Sequence, residues 1–176
     1  MSLQLLKAGT SDVLTLNGIS KRAFDSDILV GAASPSGPPG YMSMSFHMKM
    51  ARQGHLYKLT DDGSIVGGAI LFLENNVLNV GRIFVAPEHF RKGYGSFMMR
   101  EVESLFPEVK EFTLDTPVWN VRTKDLRALF FILASMRQRL SFMRRMGLSC
   151  QRELYVCIVN NLGMRKFRFF EMNDRT

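Results

Sequence analysis

The segment 82–96 combines residue types that suit the binding of a phosphate group. It begins as an apolar run typical of a strand, passes through a loop with two glycines and two cations, and leads into a helical pattern. Gly93 and Gly95 have no side chains, so backbone N–H groups can approach an anion closely. The first turn of the following helix adds unpaired donors and a partial positive charge. Because Arg91 and Lys92 add two full charges, the segment predicts an anion-binding loop.

Two glycines at a strand–helix turn are also compatible with an ordinary tight turn that binds nothing. The Gly-Lys-Ser/Thr ending of a Walker loop is absent after Gly95, so a nucleoside-triphosphate loop of that type is excluded. The pattern alone leaves the anion cradle and the plain turn open.

The elements before this loop follow from the spacing of apolar residues. A first strand is predicted at Leu3–Lys7, and amphipathic helices are predicted over about 12–24 and 42–52. Between the helices, 25–41 is rich in turn-forming residues, and a loop of this length is often functional. Three strands then form a predicted antiparallel meander, joined by Asp-Asp-Gly and Asn-Asn turns: His55–Thr60, Ser64–Glu74 and Val77–Ala86.

The elements after the loop are predicted in the same way. A helix begins near Gly93 and ends before Pro107, and Glu111–Val118 is a strand. Apolar spacings of three and four predict a further helix over Leu126–Met143. Two strand-like runs, about 150–159 and 166–172, complete the chain.

The loop and the order of these elements resemble the GCN5-related N-acetyltransferase (GNAT) superfamily. Its Gln/Arg-x-x-Gly-x-Gly/Ala pattern falls on residues 90–95. Leu114–Asn120 is similar to the fifth strand of that family and the Asn after it, and 142–148 resembles a variant of its Phe-Tyr-x-x-x-Gly-Phe helix end. The resemblance implies an α+β fold in a single domain, 1–176. It also implies a mixed, mostly antiparallel central sheet of six to seven strands flanked by about four helices.

The resemblance further implies transfer of an acetyl group from acetyl-CoA to a primary amine, of a small molecule or a peptide, by direct attack. Asn120 would fix the pantetheine arm from the fifth strand. Pantetheine would also lie along Ile83, Phe84 and Val85, whose main-chain N–H groups would polarise the thioester carbonyl if this strand splays from its neighbour. The CoA pyrophosphate would lie on Arg91, Lys92, Gly93, Tyr94, Gly95 and Ser96.

Three positions depart from the family pattern. Phe90 stands where Gln or Arg is usual, Asn79 where some members carry a general-base Glu, and Met143 where a Tyr protonates the leaving thiolate. An amine with a pKa of about 10 needs a proton acceptor at neutral pH. Asp115 and Glu74 are the predicted catalytic residues. The alternatives are His47, His55 and a relay of the proton through water.

The segment between Asn120 and Gly147 is longer than the family pattern allows. The extra residues, about 125–139, contain five consecutive apolar residues, Leu129 to Leu133. A helix there would be apolar on nearly every side, more than one packed face needs. A homodimer formed through the 125–146 helix is one expectation, and packing between two surfaces of the same chain is the other.

The loop 25–41 is predicted to lie on the acceptor side. Asp25 and Asp27 would favour a cationic amine there, although solvated loop carboxylates are the simpler interpretation.

Composition limits the remaining possibilities. With 176 residues, 46% hydrophobic and 22% charged, the chain can bury a core, and wholesale disorder is excluded. No apolar run is long enough to span a membrane, and no secretory signal is recognisable. Cys150 and Cys157 have neither metal-ligand spacing nor a disulfide framework, which favours the cytoplasm. No metal site is predicted.

The net charge of +7 is unevenly distributed. Residues 1–120 carry 11 Lys and Arg against 12 Asp and Glu, whereas 121–176 carry 12 against 4. A basic helix usually faces water, but such an excess also favours an acidic partner. A nucleic-acid-binding domain is therefore one alternative to the enzyme, and the less favoured one. The other is a CoA-binding regulatory module without turnover, which is motivated by Asn79 and Met143.

Overall fold

A computed structural model describes residues 2–109, 111–114, 155–160 and 163–168. Ten helices and strands are named in chain order: β1 (Leu3–Lys7), α1 (Val13–Asp25), α2 (Met44–Arg52), β2 (Leu56–Asp61), β3 (Ser64–Glu74), β4 (Val77–Val85), α3 (Tyr94–Leu105), β5 (Glu111–Leu114), β6 (Tyr155–Asn160) and β7 (Gly163–Arg168). Short 3-10 helices are formed by Thr10–Asp12, Ser26–Val30 and Pro87–His89.

The first five strands form one mixed sheet in the order β1-β2-β3-β4-β5. Strands β1 to β4 are antiparallel to their neighbours, and β5 is parallel to β4. The connections β2–β3 and β3–β4 contain two residues each, Asp62-Gly63 and Asn75-Asn76, all with positive φ. Two successive positive φ values are the signature of the type I′ turn, which matches the twist of a hairpin. The predicted antiparallel meander is therefore confirmed.

A β-bulge at Gly81 changes the direction in which the side chains of β4 point. Ile70 of β3 pairs with Arg82, and the next residue, Leu71, pairs with Val80, so Gly81 is an extra residue on β4. A Cβ on Gly81 would lie 2.8 Å from the ring of Phe72, so no larger residue fits without movement. Because side chains alternate along a strand, one extra residue exchanges the two faces.

The sheet separates two cores. On one face α3 packs through Met98, Met99 and Val102 against a cluster that includes Leu78 and Val80 of β4. On the other face α1 and α2 pack on a cluster formed by ten buried residues: Ala8, Val13, Leu16, Ile19, Ala23, Met50, Leu56, Ile70, Phe84 and Ala86. Leu78 and Phe84 are an even number of residues apart yet lie in different cores, which is the effect of the bulge.

The predicted α+β class and the mixed sheet are confirmed, with five strands in that sheet and three α-helices among the described residues. Strands β6 and β7 form a separate antiparallel pair, in which Asn160 pairs with Gly163. Strand β7 therefore begins at Gly163, whereas the sequence predicted that it begins near 166. A sheet of six to seven strands and a fourth helix stay predictions. The predicted helix Leu126–Met143 and the insertion 125–139 lie outside the described residues.

None of the helices in the described part of the chain is long and apolar enough to cross a membrane.

Candidate active site

The predicted anion loop joins the end of β4 to the start of α3. Ala86 continues the pairing, its N–H donating to the Val66 carbonyl at 2.8 Å, and Pro87–His89 then turns the chain away from the sheet. Arg91 and Gly93 both have positive φ, 60° and 81°. These two left-handed residues direct the chain into α3, which begins at Tyr94.

The first turn of α3 presents main-chain donors. Phe97 donates its N–H to the Gly93 carbonyl at 2.9 Å, so the amides of Tyr94, Gly95 and Ser96 precede the first intrahelical bond. A Cβ placed on Gly93 would have no atom of the described residues within 4 Å, so the space beside it is open. Unpaired amides next to open space at the positive end of a helix dipole form a favourable place for an anion.

Some side chains of the anion loop are exposed to solvent, and others are buried in the core. Arg91 and Lys92 are exposed, as a cation that meets a ligand should be. Tyr94 is buried, its hydroxyl donates to an oxygen of Asp61, and its ring stacks on His89. That hydrogen bond, followed by burial, raises the pKa of Tyr94 above its ordinary value. The structure thus leaves only the main chain of Tyr94 for a ligand.

Phe90, the first departure from the family pattern, is half-buried and packs against both cores. An aromatic ring at this position anchors the loop to the sheet, whereas a Gln or Arg would present a polar group. The two exposed cations beside it are therefore the charged side chains that the loop offers to a phosphate.

The edge of β4 toward β5 is the predicted place for pantetheine. The parallel pairing runs from Val77 with Glu111 to Val80 with Leu114. Residues 82–85 pair with β3 on the other side, and within the described residues they have no partner on the β5 side. Asp115 and Asn120 lie outside the described residues, so the splaying of the two strands stays a prediction.

Arg82 lies on the face of the sheet that α1 and α2 cover, among β4, α2 and the 25–41 loop. It is 8% exposed, and its Cζ lies 4.3 Å from the centroid of the Phe46 ring in α2. Its Nη2 donates to the carbonyl of Pro39, in the loop. Burial lowers the pKa of Arg82 to about 10, so the side chain remains a cation at neutral pH.

His47 lies on the same face of the sheet and is fully buried. Its Nδ1 is 2.9 Å from the carbonyl oxygen of Ser43, and a carbonyl can only accept, so the proton of the neutral ring is on Nδ1. Its ring meets those of Phe46 and Phe84 edge-on. Burial lowers the pKa of His47, the hydrogen bond to Ser43 acts in the opposite direction, and the charge of Arg82 lowers it further.

The Nε2 atom of His47 and the Nη1 atom of Arg82 are both buried, and neither has a hydrogen-bond partner among the described residues. The sequence named His47 only as an alternative base, and it gave Arg82 no role. The signal that could have identified Arg82 is a single charge within the β4 run Val-Gly-Arg-Ile-Phe-Val.

The described residues do not bring either predicted catalytic carboxylate, Glu74 or Asp115, close to the anion loop. Glu74 is exposed in the β3–β4 hairpin and pairs with Val77, at the end of β4 opposite the anion loop. Asp115 and Met143 lie outside the described residues. Asn79 donates from its amide to the hydroxyl of Thr113 at 2.9 Å, so it links β4 to β5.

The 25–41 loop, which the sequence predicted to lie on the acceptor side, is held by polar groups of the loop and of α1. Asp25 accepts from the hydroxyl of Tyr41 at 2.8 Å and also pairs with Lys21. These two partners, Lys21 first, lower the pKa of Asp25. Ser20, buried in α1, donates to the Tyr41 carbonyl at 2.7 Å. The structure therefore uses Asp25 to fix the loop onto α1.

Solved structures with the same fold include several acetyltransferases. The ribosomal-protein-S18-alanine N-acetyltransferase from Escherichia coli is 20% identical over 75% of this chain and 76% of that one, with a TM-score of 0.57. Diaminobutyrate acetyltransferase EctA from Paenibacillus lautus, solved with L-2,4-diaminobutyric acid and coenzyme A, is 16% identical over 78% and 77%, with a TM-score of 0.55. PaiA N-acetyltransferase from Thermoplasma acidophilum, solved with coenzyme A, is 15% identical over 61% and 74%, with a TM-score of 0.51.

A search of curated proteins finds no match to this sequence. The model of the acetyltransferase (GNAT) family matches residues 27–128, more than half of the chain. This range includes α2, the meander, the anion loop and α3. The chain belongs to the acetyltransferase (GNAT) family.

Proposed function

We propose that this protein is an acetyl-CoA-dependent N-acetyltransferase that acts on a primary amine by direct attack, as one domain over 1–176. The observation that carries the proposal is the open group of main-chain donors at the start of α3, bordered by the exposed cations Arg91 and Lys92. This arrangement fits a diphosphate. Relatives of the same fold solved with coenzyme A support it.

The anion loop and β4 would bind different parts of acetyl-CoA. The amides of Gly93, Gly95 and Ser96 would hold the pyrophosphate of CoA, with Arg91 and Lys92 beside it. The free edge of 83–85 would hydrogen-bond pantetheine, with Asn120 on the opposite side. Acetyl-CoA supplies an activated acyl group as a thioester. Main-chain N–H groups of that edge would stabilise the charge that develops on the carbonyl oxygen, and holding the amine beside it accounts for much of the remaining rate.

For the proton acceptor we propose His47, beside the earlier candidates Asp115 and Glu74. Its Nδ1 donates to Ser43, so the unshared pair of Nε2 is available. Burial and the neighbouring charge of Arg82 keep the pKa low, so the ring is neutral at pH 7 and able to accept a proton. The ring contacts Phe84, which follows Ile83 on the strand where the thioester is expected.

His47→Asn is expected to lower kcat by about 100-fold, the usual contribution of a general base. Asn keeps a donor near the Ser43 carbonyl and removes the atom that accepts the proton. The KM for acetyl-CoA should change little, because α2 does not form the anion loop. Steady-state kinetics of thiol release measures both constants. Asp115→Asn and Glu74→Gln, assayed in parallel, test the two carboxylates, and a full loss in either one with normal kcat in His47→Asn would contradict the role of His47.

The lowered pKa of His47 also predicts how stability depends on pH. When the pKa is lower in the folded state, the unfolded chain takes up its proton first as the pH falls. The contribution of His47 to stability is therefore present above about pH 6.5, the unfolded value, and is lost as the pH falls through the folded value. Urea unfolding between pH 8 and pH 5 should show a smaller decrease for His47→Asn than for the wild type. Equal decreases would contradict the prediction.

The direct test of the function has two parts. Acetyl-CoA and CoA should raise the unfolding temperature, and one or more amines in a panel should then cause thiol release. Stabilisation without turnover on any amine would favour the regulatory CoA-binding module, which is motivated by the absence of a carboxylate at Asn79 and of a Tyr hydroxyl at Met143. Nucleic-acid binding would depend on the basic residues of 121–176, and it predicts affinity that falls steeply with salt.

A further inference from the structure

Arg82 is a buried cation without a carboxylate partner in the described part of the chain. The ion pairs found there are Lys21–Asp25, Arg22–Glu88 and Lys58–Asp12, and none includes Arg82. The contacts that the structure shows for its guanidinium are the Phe46 ring and the Pro39 carbonyl oxygen, and the buried neutral His47 lies nearby. A buried guanidinium is costly unless its charge and its donors are matched. An unmatched one therefore suggests a partner of opposite charge that arrives from outside the chain.

The guanidinium is held in one orientation before any ligand binds. The Phe46 ring lies against its face at 4.3 Å, and Nη2 donates to the Pro39 carbonyl. The plane of the guanidinium is therefore fixed. Nη1 has no hydrogen-bond partner among the described residues, so both of its N–H donors are unused. A planar fork held in this way matches the two oxygens of a carboxylate.

The bulge at Gly81 determines where this charge lies. Because the extra residue exchanges the faces of β4, Arg82 points to the side of α1 and α2 and away from the α3 side. On that side Arg82 meets α2 and the 25–41 loop, and this loop was predicted to lie on the acceptor side. Arg82 also directly precedes Ile83, the first of the strand residues proposed to hold pantetheine.

We propose that Arg82 binds the carboxylate of the acceptor, so that the substrate is a primary amine that also carries a carboxylate. This rests on the proposed function and names its substrate class. The fixed guanidinium would orient the molecule by its acid group and leave the amine free to reach His47 and the thioester. An amine without an acid group would leave the buried cation unmatched, and would therefore be a poor substrate.

The experiment compares amines that differ only in the carboxylate. Lysine with cadaverine, ornithine with putrescine, and 2,4-diaminobutyrate with 1,3-diaminopropane are three such pairs of free amines. The dipeptide amides Ala-Glu-NH2 and Ala-Gln-NH2, neither of which has a C-terminal carboxylate, make a fourth pair and test whether the carboxylate can lie on a peptide. We expect kcat/KM to be at least about 30-fold higher for the acidic member of one or more pairs, as discrimination by a buried polar group predicts. Equal values within every pair would overturn the proposal while leaving the acetyltransferase assignment intact.

Two variants test whether Arg82 causes the preference for amines that carry a carboxylate. Arg82→Met keeps the length and removes the charge, and it should abolish the preference. Its unfolding temperature should remain close to that of the wild type, since an apolar side chain avoids the cost of burying a cation. Arg82→Lys keeps a charge without the planar fork and should retain part of the preference. A large fall in unfolding temperature for Arg82→Met with the preference unchanged would show a structural role and overturn the proposal.

A binding measurement separates this proposal from the proposed function. Calorimetry of the acidic amines against protein saturated with CoA needs no turnover. Carboxylate-dependent binding that is lost in Arg82→Met would support the site even if no amine were acetylated. Binding that is the same for wild type and Arg82→Met would overturn it.

Discussion

Gly93→Asp is expected to reduce the affinity for CoA by about 100-fold while the protein stays folded. A carboxylate about 4 Å from a phosphate is repelled by about 4 kcal/mol at an intermediate effective dielectric constant, and solvent at this exposed position weakens the effect. Folding should be little affected for three reasons. The new Cβ would meet open space, Asp tolerates positive φ better than most residues, and an acid is favourable at a helix N-terminus. Isothermal titration at fixed salt measures the change.

Gly93→Asn is the matched control, because Asn has the shape of Asp, accepts the φ of 81° and carries no charge. We expect it to bind CoA within about 10-fold of the wild type, which is a small part of the loss predicted for a fixed charge. The unfolding temperature without ligand should be similar for both variants. If Gly93→Asp bound CoA as well as the wild type, the anion would lie elsewhere and the proposed function would lose its main support.

Gly68→Ala is expected to destabilise the fold by about 3 kcal/mol, at the upper end of the range for overpacking. A Cβ on Gly68 would lie 2.7 Å from the Tyr57 carbonyl oxygen, 2.8 Å from Cζ of Phe84 and 2.9 Å from a methyl group of Leu16. One of these contacts is with backbone, so relief requires β2 and β3 to separate. Chemical denaturation measures the change, which corresponds to a decrease of about 10 °C in the unfolding temperature for a chain of this size.

Gly18→Ala in α1 supplies a control with the opposite sign. Its Cβ would be 3.8 Å from the nearest atom, a terminal nitrogen of Arg22, which is an ordinary contact. Ala is favoured over Gly inside a helix by about 1 kcal/mol. We therefore expect Gly18→Ala to be more stable than the wild type. If both variants had the same stability as the wild type, the close approach at Gly68 would not be a real constraint.

The parts of the fold that local chemistry determines could be predicted from the sequence. The strands Leu3–Lys7 and Ser64–Glu74 have the predicted bounds because alternation and turn residues define them. The Asp62-Gly63 and Asn75-Asn76 turns were predicted for the same reason, since few other residue pairs accept two positive φ values.

The bulge at Gly81 was not predicted, although an isolated glycine within a strand pattern is its local sign. Which residue is extra depends on how the two strands pair. Without the bulge, the alternation along β4 would have assigned Arg82 to the α3 face. Packing of Phe90 into both cores was likewise hidden, since a sequence does not show which loop residue faces inward.

Part of the candidate site could also be predicted from the sequence. The glycines of the anion loop and the helix after it were visible in the sequence, and the structure gives Gly93 the positive φ that such a loop requires. The choice among four possible bases was not available, because it depends on burial and on which ring nitrogen has a partner. The Nδ1 atoms of His47 and His55 both lie within hydrogen-bond distance of a main-chain carbonyl, and only the structure shows that His47 is fully buried whereas His55 is partly exposed.

The extra residue in β4 has a consequence for how this protein can change during evolution. Upstream of Gly81, the strand contributes Leu78 and Val80 to the α3 core, whereas Arg82 and Phe84 face the opposite layer. A substitution at position 82 therefore changes the layer of α1 and α2, where the acceptor carboxylate is proposed to bind, without disturbing the layer on which α3 packs. Deleting the glycine would instead turn every later side chain of the strand over and exchange the residues of the two layers.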